Sequence, residues 1–509
     1  MSQTVVTVNA AVLLPVLAPA VGAAVVLITD VAAQGLRRTH YVIALASLVV
    51  GTVATFAGLG VFAGDARQTL CLPGGGQCMY AADSVASALQ LAALLAAAMT
   101  LLLSWPDDKK ESSGSTAVIV SLVLAATAGA TAVAGARDLG SWLVALELAT
   151  LPTVALVALR GARSAISGAV ALLTTALVSF GLLALAAALW FTATTSGFLS
   201  PGAVLTVVDD PSRRPILVLA VVLVVAGIGF KLSLVPFHAW TPETYDGAPL
   251  PIAAFLAGVS KIAALAALLV VIRAVAPLGA PVLTSMALVA GASMTLGNIM
   301  ALRQNGVVRL LAWSTVAQAG WVVLPLATLS SAAVHASGAY LLAYVLATLL
   351  AFAVVSALVQ TRGAARARDV SAYRGLLRDH PVLSAALALA LLSLAGLPPG
   401  ILGLVAKVVA LRPVVASELW LLAVVAAVNA VLGVAVYLRW LLAVLATPDA
   451  PDGVSAGPDG VSAGPAGVSP VAVRVVRAHP ATLVAVGFAA VALVLTSLSP
   501  QLILGLLGS

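Results

Sequence analysis

The chain has 509 residues, 62% of them hydrophobic and only 8% charged, with a formal net charge of +7 and a pI near 9.7. A soluble domain carries about 25% charged residues, so a water-soluble fold is excluded and a lipid bilayer must solvate most of this surface. The basic balance does not point to nucleic acid, because Arg and Lys are scattered singly between apolar runs with no basic face and no interleaved aromatics.

Apolar runs of spanning length follow one another at 11–29, 41–63, 84–104, 116–136, 139–159, 165–193, 215–237, 250–272, 282–302, 307–329, 334–360, 381–411, 417–445 and 481–505. The expected fold is an all-α integral membrane protein, a single bundle over 1–509 of about 14 helices. Met1 to Ala10 holds no Lys or Arg, and the first run is too long for the apolar part of a signal peptide, so no cleavable signal is expected. Between the second and third runs, Cys71 and Cys78 bracket Leu-Pro-Gly-Gly-Gly-Gln in a polar loop. If that loop lies outside the cytoplasm the two can close a small disulfide. Their spacing is not that of metal ligands, and no cysteine remains for an iron–sulfur cluster. Residues 446–480 form a Pro- and Gly-rich segment in which Asp-Gly-Val-Ser-Ala-Gly-Pro starts at 452 and again at 459, which predicts a flexible inside loop before the last helix at 481–509.

Basic residues in the joints set the orientation. With the N-terminus outside, the inside joints hold 15 Arg and Lys, including Arg37, Arg38, Lys109, Lys110, Arg303 and Arg309. The outside joints hold 6, namely Arg67, Arg137, Arg213, Arg214, Arg273 and Arg412. Both termini are therefore expected outside.

Charges inside the spans are few. Three of the five lysines, Lys231, Lys261 and Lys407, lie within apolar runs, and Glu147 alone among the acids sits near a run's centre. Such a charge costs at least ~2.5–3.5 kcal/mol on insertion scales. Snorkelling explains a lysine near a helix end, and Lys407 is five residues from Arg412. A static ion pair explains Glu147 with Lys231. The third reading is proton transfer: burial makes a lysine's proton removable, whereas arginine keeps its own. A Glu about 7 Å from a Lys, at an effective dielectric of ~20, attracts it by about 2.4 kcal/mol. Moving one charge against 100 mV takes ~2.3 kcal/mol, so a series of titratable groups fits proton pumping better than one switch.

Proline places two of these lysines at helix breaks: Pro236 follows Lys231, and Pro398 and Pro399 precede Lys407. Freed carbonyls at membrane depth are tolerated where protein or water satisfies them. Interrupted spans in corresponding halves mark ion sites in inverted-repeat transporters. The expected organisation is helices 1–3 (1–115), then two inverted five-helix repeats, spans 4–8 (116–275) and 9–13 (276–445), with Pro-broken seventh and twelfth helices. His238, just after the seventh run, could relay a proton or simply pack at a helix end. Gly58-Leu-Gly60 lies in an apolar run with no strand before it and is not a dinucleotide fingerprint.

Residues 230–251, Phe-Lys-Leu-Ser-Leu-Val-Pro-Phe-His-Ala-Trp-Thr-Pro-Glu-Thr-Tyr-Asp-Gly-Ala-Pro-Leu-Pro, closely resemble the antiporter-like membrane subunits of respiratory complex I. Leu146-Glu147-Leu148, Gly297-Asn298, Arg309-Leu310-Leu311-Ala312-Trp313-Ser314 and Ser393-Leu394-Ala395-Gly396-Leu397-Pro398-Pro399 add to the resemblance. The Trp-Thr-Pro-Glu form and Lys407 resemble the N type rather than its M sibling, and a chain ending at Ser509 has no room for the lateral helix of the L sibling. The resemblance implies a proton-translocating subunit of the bacterial plasma membrane, with Glu147, Lys231, Lys261 and Lys407 carrying protons. It also implies sibling membrane subunits as partners, and no cofactor in this chain: NADH, FMN, iron–sulfur clusters and quinone belong to partner subunits. Many N-type chains carry a further lysine between the fifth-span Glu and the seventh-span Lys, but residues 164–212 here hold no Lys or Arg. Either that site is dispensable, or water with hydroxyls such as those of Thr174, Thr175 and Ser179 bridges the gap. The alternatives are a subunit of a multi-subunit cation/proton antiporter of the Mrp type, and a passive membrane scaffold.

Overall fold

The computed structural model describes residues 8–33, 35–59, 66–73, 76–106, 115–328, 330–364, 367–447 and 478–507. Among them, 13 helices are long and apolar enough to cross a membrane. The twelfth span is the exception because it is split into Pro381–Ala395 and Ile401–Ala416. Counting that pair as one crossing gives the expected fourteen. The predicted inside loop lies almost wholly outside the described residues.

Spans 8, 10 and 11 are buried along most of their length, while spans 1, 2, 6, 13 and 14 form the rim with one face exposed. Small residues let the helices meet. A Cβ on Gly129 of span 4 would collide with the Ala149 backbone of span 5, and one on Gly297 of span 9 would collide with the Ala317 backbone of span 10. Close approach of this kind replaces the hydrophobic drive that lipid removes. The separations from Gly129 to Ala149 and from Gly297 to Ala317 are the same.

The structure revises several boundaries. The seventh helix, Arg214–Leu232, stops well before 237, and a short helix, Trp240–Gly247, resumes after the break. Pro242 sits in the first turn of that short helix, where proline is tolerated. The eighth span is also interrupted: Leu250–Ala257 and Val259–Val275 meet at Gly258, three residues before Lys261. The polar loop after span 2 forms a small antiparallel hairpin, β1 (Arg67–Cys71) and β2 (Cys78–Ala82), closed by a Cys71–Cys78 disulfide.

That hairpin gathers one face of the bundle. Asn9 N–H donates to Thr69 Oγ1 at 2.7 Å, and Ser84 Oγ donates to the Leu507 carbonyl at 2.7 Å. Both ends of the described chain therefore lie beside the hairpin. Asp83 caps span 3 through Ala86 N–H at 2.8 Å and binds Arg273 of span 8 at 2.5 Å and Arg137 at 3.4 Å.

Candidate functional site

Both Pro-broken spans end their first half alike. Ser233 and Gly396 take the left-handed conformation, φ 67° and 78°. Leu234 N–H then reaches back to the Gly229 carbonyl at 2.8 Å, and Leu397 N–H to the Leu392 carbonyl at 2.9 Å. This is the closing bond of a Schellman cap. Pro236 and Pro399 each follow three residues after the left-handed residue. The carbonyls before each break have no continuing helix to receive them, and lysines do.

Lys261 Nζ donates to the Lys231 carbonyl at 2.9 Å and to Ser233 Oγ at 2.5 Å, and lies 4.7 Å above the Trp240 ring. Lys407 Nζ donates to the Leu394 and Ala395 carbonyls at 3.3 and 2.6 Å. By the caps just described, Lys231 and Leu394 hold the same position relative to their breaks. Lys407 is thus buried against a helix C-terminus, which favours a cation, and does not snorkel.

Lys231 turns its side chain the other way. Its Nζ stands 3.0 Å from Glu147 Oε1 and donates to Thr150 Oγ1 at 2.9 Å. The Glu147 side chain is 13% exposed and that of Lys231 5%. The structure brings Glu147, Lys231 and Lys261 into one continuous set. His238 is not part of it: its ring packs 5.2 Å from Trp313, on the far side of the break.

A cavity adjoins Lys231, lined by Thr150, Thr153, Thr175, Ser179 and Ser260 among others, with about 10 Å³ open to the centre of a water molecule. Of the three expected bridging hydroxyls, Thr175 and Ser179 line it, while Thr174 faces outward. A second cavity of the same size lies in the other half. Thr150, Leu172, Thr175, Ala176 and Ser179 line the first; Gln318, Tyr340, Ala343, Tyr344 and Ala347 line the second, at identical spacing. Phe230, Lys231 and Trp240 in the first likewise match Ser393, Leu394 and Gly403 in the second.

The sequence reading passes over the polar residues of the second half. Tyr344 O–H donates to Thr315 Oγ1 at 2.9 Å and Tyr340 O–H to Gln318 Oε1 at 2.5 Å. Gln318 Nε2 donates to Tyr437 Oη at 2.8 Å. All five are buried. For the four on spans 10 and 11, polar periodicity is the signal that could have revealed them. Arg439, another basic residue inside a span, also escapes that reading. It donates to the Leu302 and Gln304 carbonyls and so caps the end of span 9.

Comparison with known proteins bears directly on this geometry. Residues 136–433 match the family model described as NADH:quinone oxidoreductase/Mrp antiporter, TM. The chain is 39% identical over 423 residues to NADH-quinone oxidoreductase subunit N of Salinispora tropica, covering 80% of each. Its fold matches a chain of respiratory complex I from Thermus thermophilus with TM-score 0.74 and 30% identity, covering 97% of this chain and 99% of that one. A chain of the Mrp complex from Dietzia gives TM-score 0.79 at 20% identity, covering 98% and 96%, a likeness of fold alone.

Proposed function

The chain belongs to the NADH:quinone oxidoreductase/Mrp antiporter membrane family, and from that premise we propose that it is the N-type proton-translocating subunit of a bacterial NADH–quinone oxidoreductase. The reading places NADH, FMN, iron–sulfur clusters and quinone in partner subunits and gives this chain a proton path. The relationship to the Mrp complex is one of shared fold, whereas sequence identity runs to the redox-driven relatives.

The observation that carries the reading is the contact series Glu147–Lys231–Lys261. At 3.0 Å and an effective dielectric of ~20, the Glu147–Lys231 attraction is about 5.5 kcal/mol, against about 2.4 at 7 Å. Opening the pair thus costs about 3 kcal/mol, comparable with moving one charge across ~100 mV. An open pair leaves Lys231 without its counter-charge and favours release of its proton. Lys261, bound to the Lys231 carbonyl, is the next carrier, and Lys407 the last. Thr175 and Ser179 supply a hydroxyl-lined route to Lys231 where other N-type chains use a lysine. His238 is a packing residue in this account.

Two five-helix repeats, spans 4–8 and 9–13, are supported by the matched caps at Ser233 and Gly396, the matched glycines at 129 and 297, and the matched cavities. An orientation with both termini outside is supported by the disulfide hairpin, which belongs on an oxidising face and lies beside both described ends.

The test is NADH-driven proton translocation by the assembled complex in vesicles. Glu147→Gln should lower translocation by about 10²-fold, the scale of a lost proton-transfer group, with assembly intact. Wild-type translocation in that variant would reject the reading.

A further inference from the structure

Away from the proton path, an open pocket of about 640 Å³ lies where span 9 (Ala280–Leu302) and span 13 (Trp420–Leu445) end. By the count of crossings this is the face opposite the disulfide hairpin. Main-chain bonds set its walls. Val370 N–H donates to the Asn305 carbonyl at 2.8 Å, Val307 N–H to the Arg368 carbonyl at 2.9 Å, and Gly375 N–H to the Ala446 carbonyl at 2.9 Å. The pocket is therefore formed before anything enters it, as ligand sites usually are. Three charged side chains line it: Asp369, Arg374 and Arg439. Arg439 sits six residues before the end of span 13, about 9 Å into the helix. Its described hydrogen bonds go to main-chain carbonyls, and its Nε is buried with no partner. Asp369 holds the N-cap position of the short helix Val370–Tyr373, yet its carboxylate makes no cap hydrogen bond. An N-cap aspartate normally spends its side chain on the helix it starts; this one leaves its charge to the pocket. Arg439, Leu442, Ala443 and Ala446 follow at helical spacing, so the wall passes from charge to hydrocarbon along one face of span 13. Leu442 and Leu445 are exposed, which opens that face to the lipid side.

We propose that this pocket binds the headgroup of a phospholipid bearing a primary amine, as phosphatidylethanolamine does. The guanidinium groups of Arg374 and Arg439 meet the phosphate, whose oxygens match arginine's planar fork. Asp369 meets the ammonium. Asn305 and Ser371 supply neutral hydrogen-bonding groups. Spans 9 and 13 both end here, and the carbonyl end of a helix favours a cation, which again suits an amine. A headgroup without the amine would leave the Asp369 carboxylate facing a phosphate of like charge. Leu442 and Ala446 lead acyl chains away along span 13, a surface that free phosphoethanolamine would not use. Glu147, Lys231, Lys261 and Lys407 do not line the pocket, so this site stands independently of the proton path.

The test uses native membrane vesicles loaded with photoactivatable phosphatidylethanolamine or phosphatidylglycerol, the reactive group placed on the acyl chain near the headgroup. Peptide mass spectrometry then measures the label on residues 369–374 and 439–446. Wild type should take the ethanolamine probe about fivefold more than the glycerol probe, the scale of one exposed charge pair. Asp369→Asn should bring that ratio close to one, and Arg374→Gln should lower both labels. Asp369→Asn removes no cap hydrogen bond, so an unfolding temperature matching wild type should accompany its change in ratio. Equal labelling by the two probes in wild type, or an unchanged ratio in Asp369→Asn, overturns recognition of the amine. Absence of label from both probes means that a neighbouring subunit covers the face, and overturns the proposal. Loss of the ethanolamine label to excess free phosphoethanolamine assigns the pocket to a soluble ligand, and overturns the lipid.

Discussion

Lys261 Nζ lies 2.9 Å from the main-chain oxygen of Lys231, so the two lysines share one helix break. The break supplies what a mid-membrane cation lacks: a freed carbonyl, the Ser233 hydroxyl and the Trp240 ring face. Lys231 has Glu147 as a counter-charge, whereas the described contacts of Lys261 are to neutral groups. Of the two amino groups, that of Lys231 faces a carboxylate and that of Lys261 meets only neutral groups among these contacts.

Ser233 is held in the left-handed conformation, which costs a residue with a Cβ about 1–2 kcal/mol, and its Oγ accepts from both Lys261 and Thr241. Ser233→Gly relieves the backbone cost but removes the acceptor, and Ser233→Ala removes the acceptor only. Both should slow NADH-driven translocation to a similar degree, while thermal unfolding of the detergent-solubilised complex should show Ala the less stable. Equal stability of the two variants would contradict the backbone assignment.

Lys407→Arg keeps the charge at the Leu394 and Ala395 carbonyls but not a removable proton. Assembly should survive and translocation fall as far as in Lys407→Met. An arginine variant that pumps normally would make the position a fixed cation.

Asp83 predicts a pH dependence. Burial alone would raise its carboxyl, but Arg273, then Arg137 and the Ala86 N–H, hold it below the ordinary carboxylate range. A lowered folded-state value stabilises the fold fully above the ordinary value of ~3.9, and that stability is lost as pH falls through the lowered value. At neutral pH, Asp83→Asn should therefore destabilise the outer face by about 1–3 kcal/mol, seen as a lower unfolding temperature. The gap to wild type should narrow as pH falls below ~4; a constant gap would contradict the ion cluster.

The span pattern was legible because the bilayer dictates it: runs of ~20 apolar residues have no other use. The four mid-span charges stood out for the same reason. What could not be read was contact. Glu147 and Lys231 are distant in sequence, and only the assembled bundle, in which spans 5 and 7 each pack on span 6, sets their separation at 3.0 Å. The break at Gly258 escaped because glycine is common in membrane helices and carries no proline-like signal. Gln318, Tyr340 and Tyr344 escaped because neutral polar residues cost little in a span and do not announce themselves by charge. His238 drew notice as a titratable ring just past the seventh run, and its ring packs 5.2 Å from Trp313.

The central claim is that Lys261 carries a proton. The most direct measurement is proton translocation per NADH oxidised in vesicles holding the assembled complex, wild type against Lys261→Met, normalised to complex content. Methionine fills a similar volume and removes the titratable group. The account predicts that translocation and coupled turnover collapse while the complex still assembles. Unchanged translocation with intact assembly would show that the buried ammonium only braces the break, and would contradict the account.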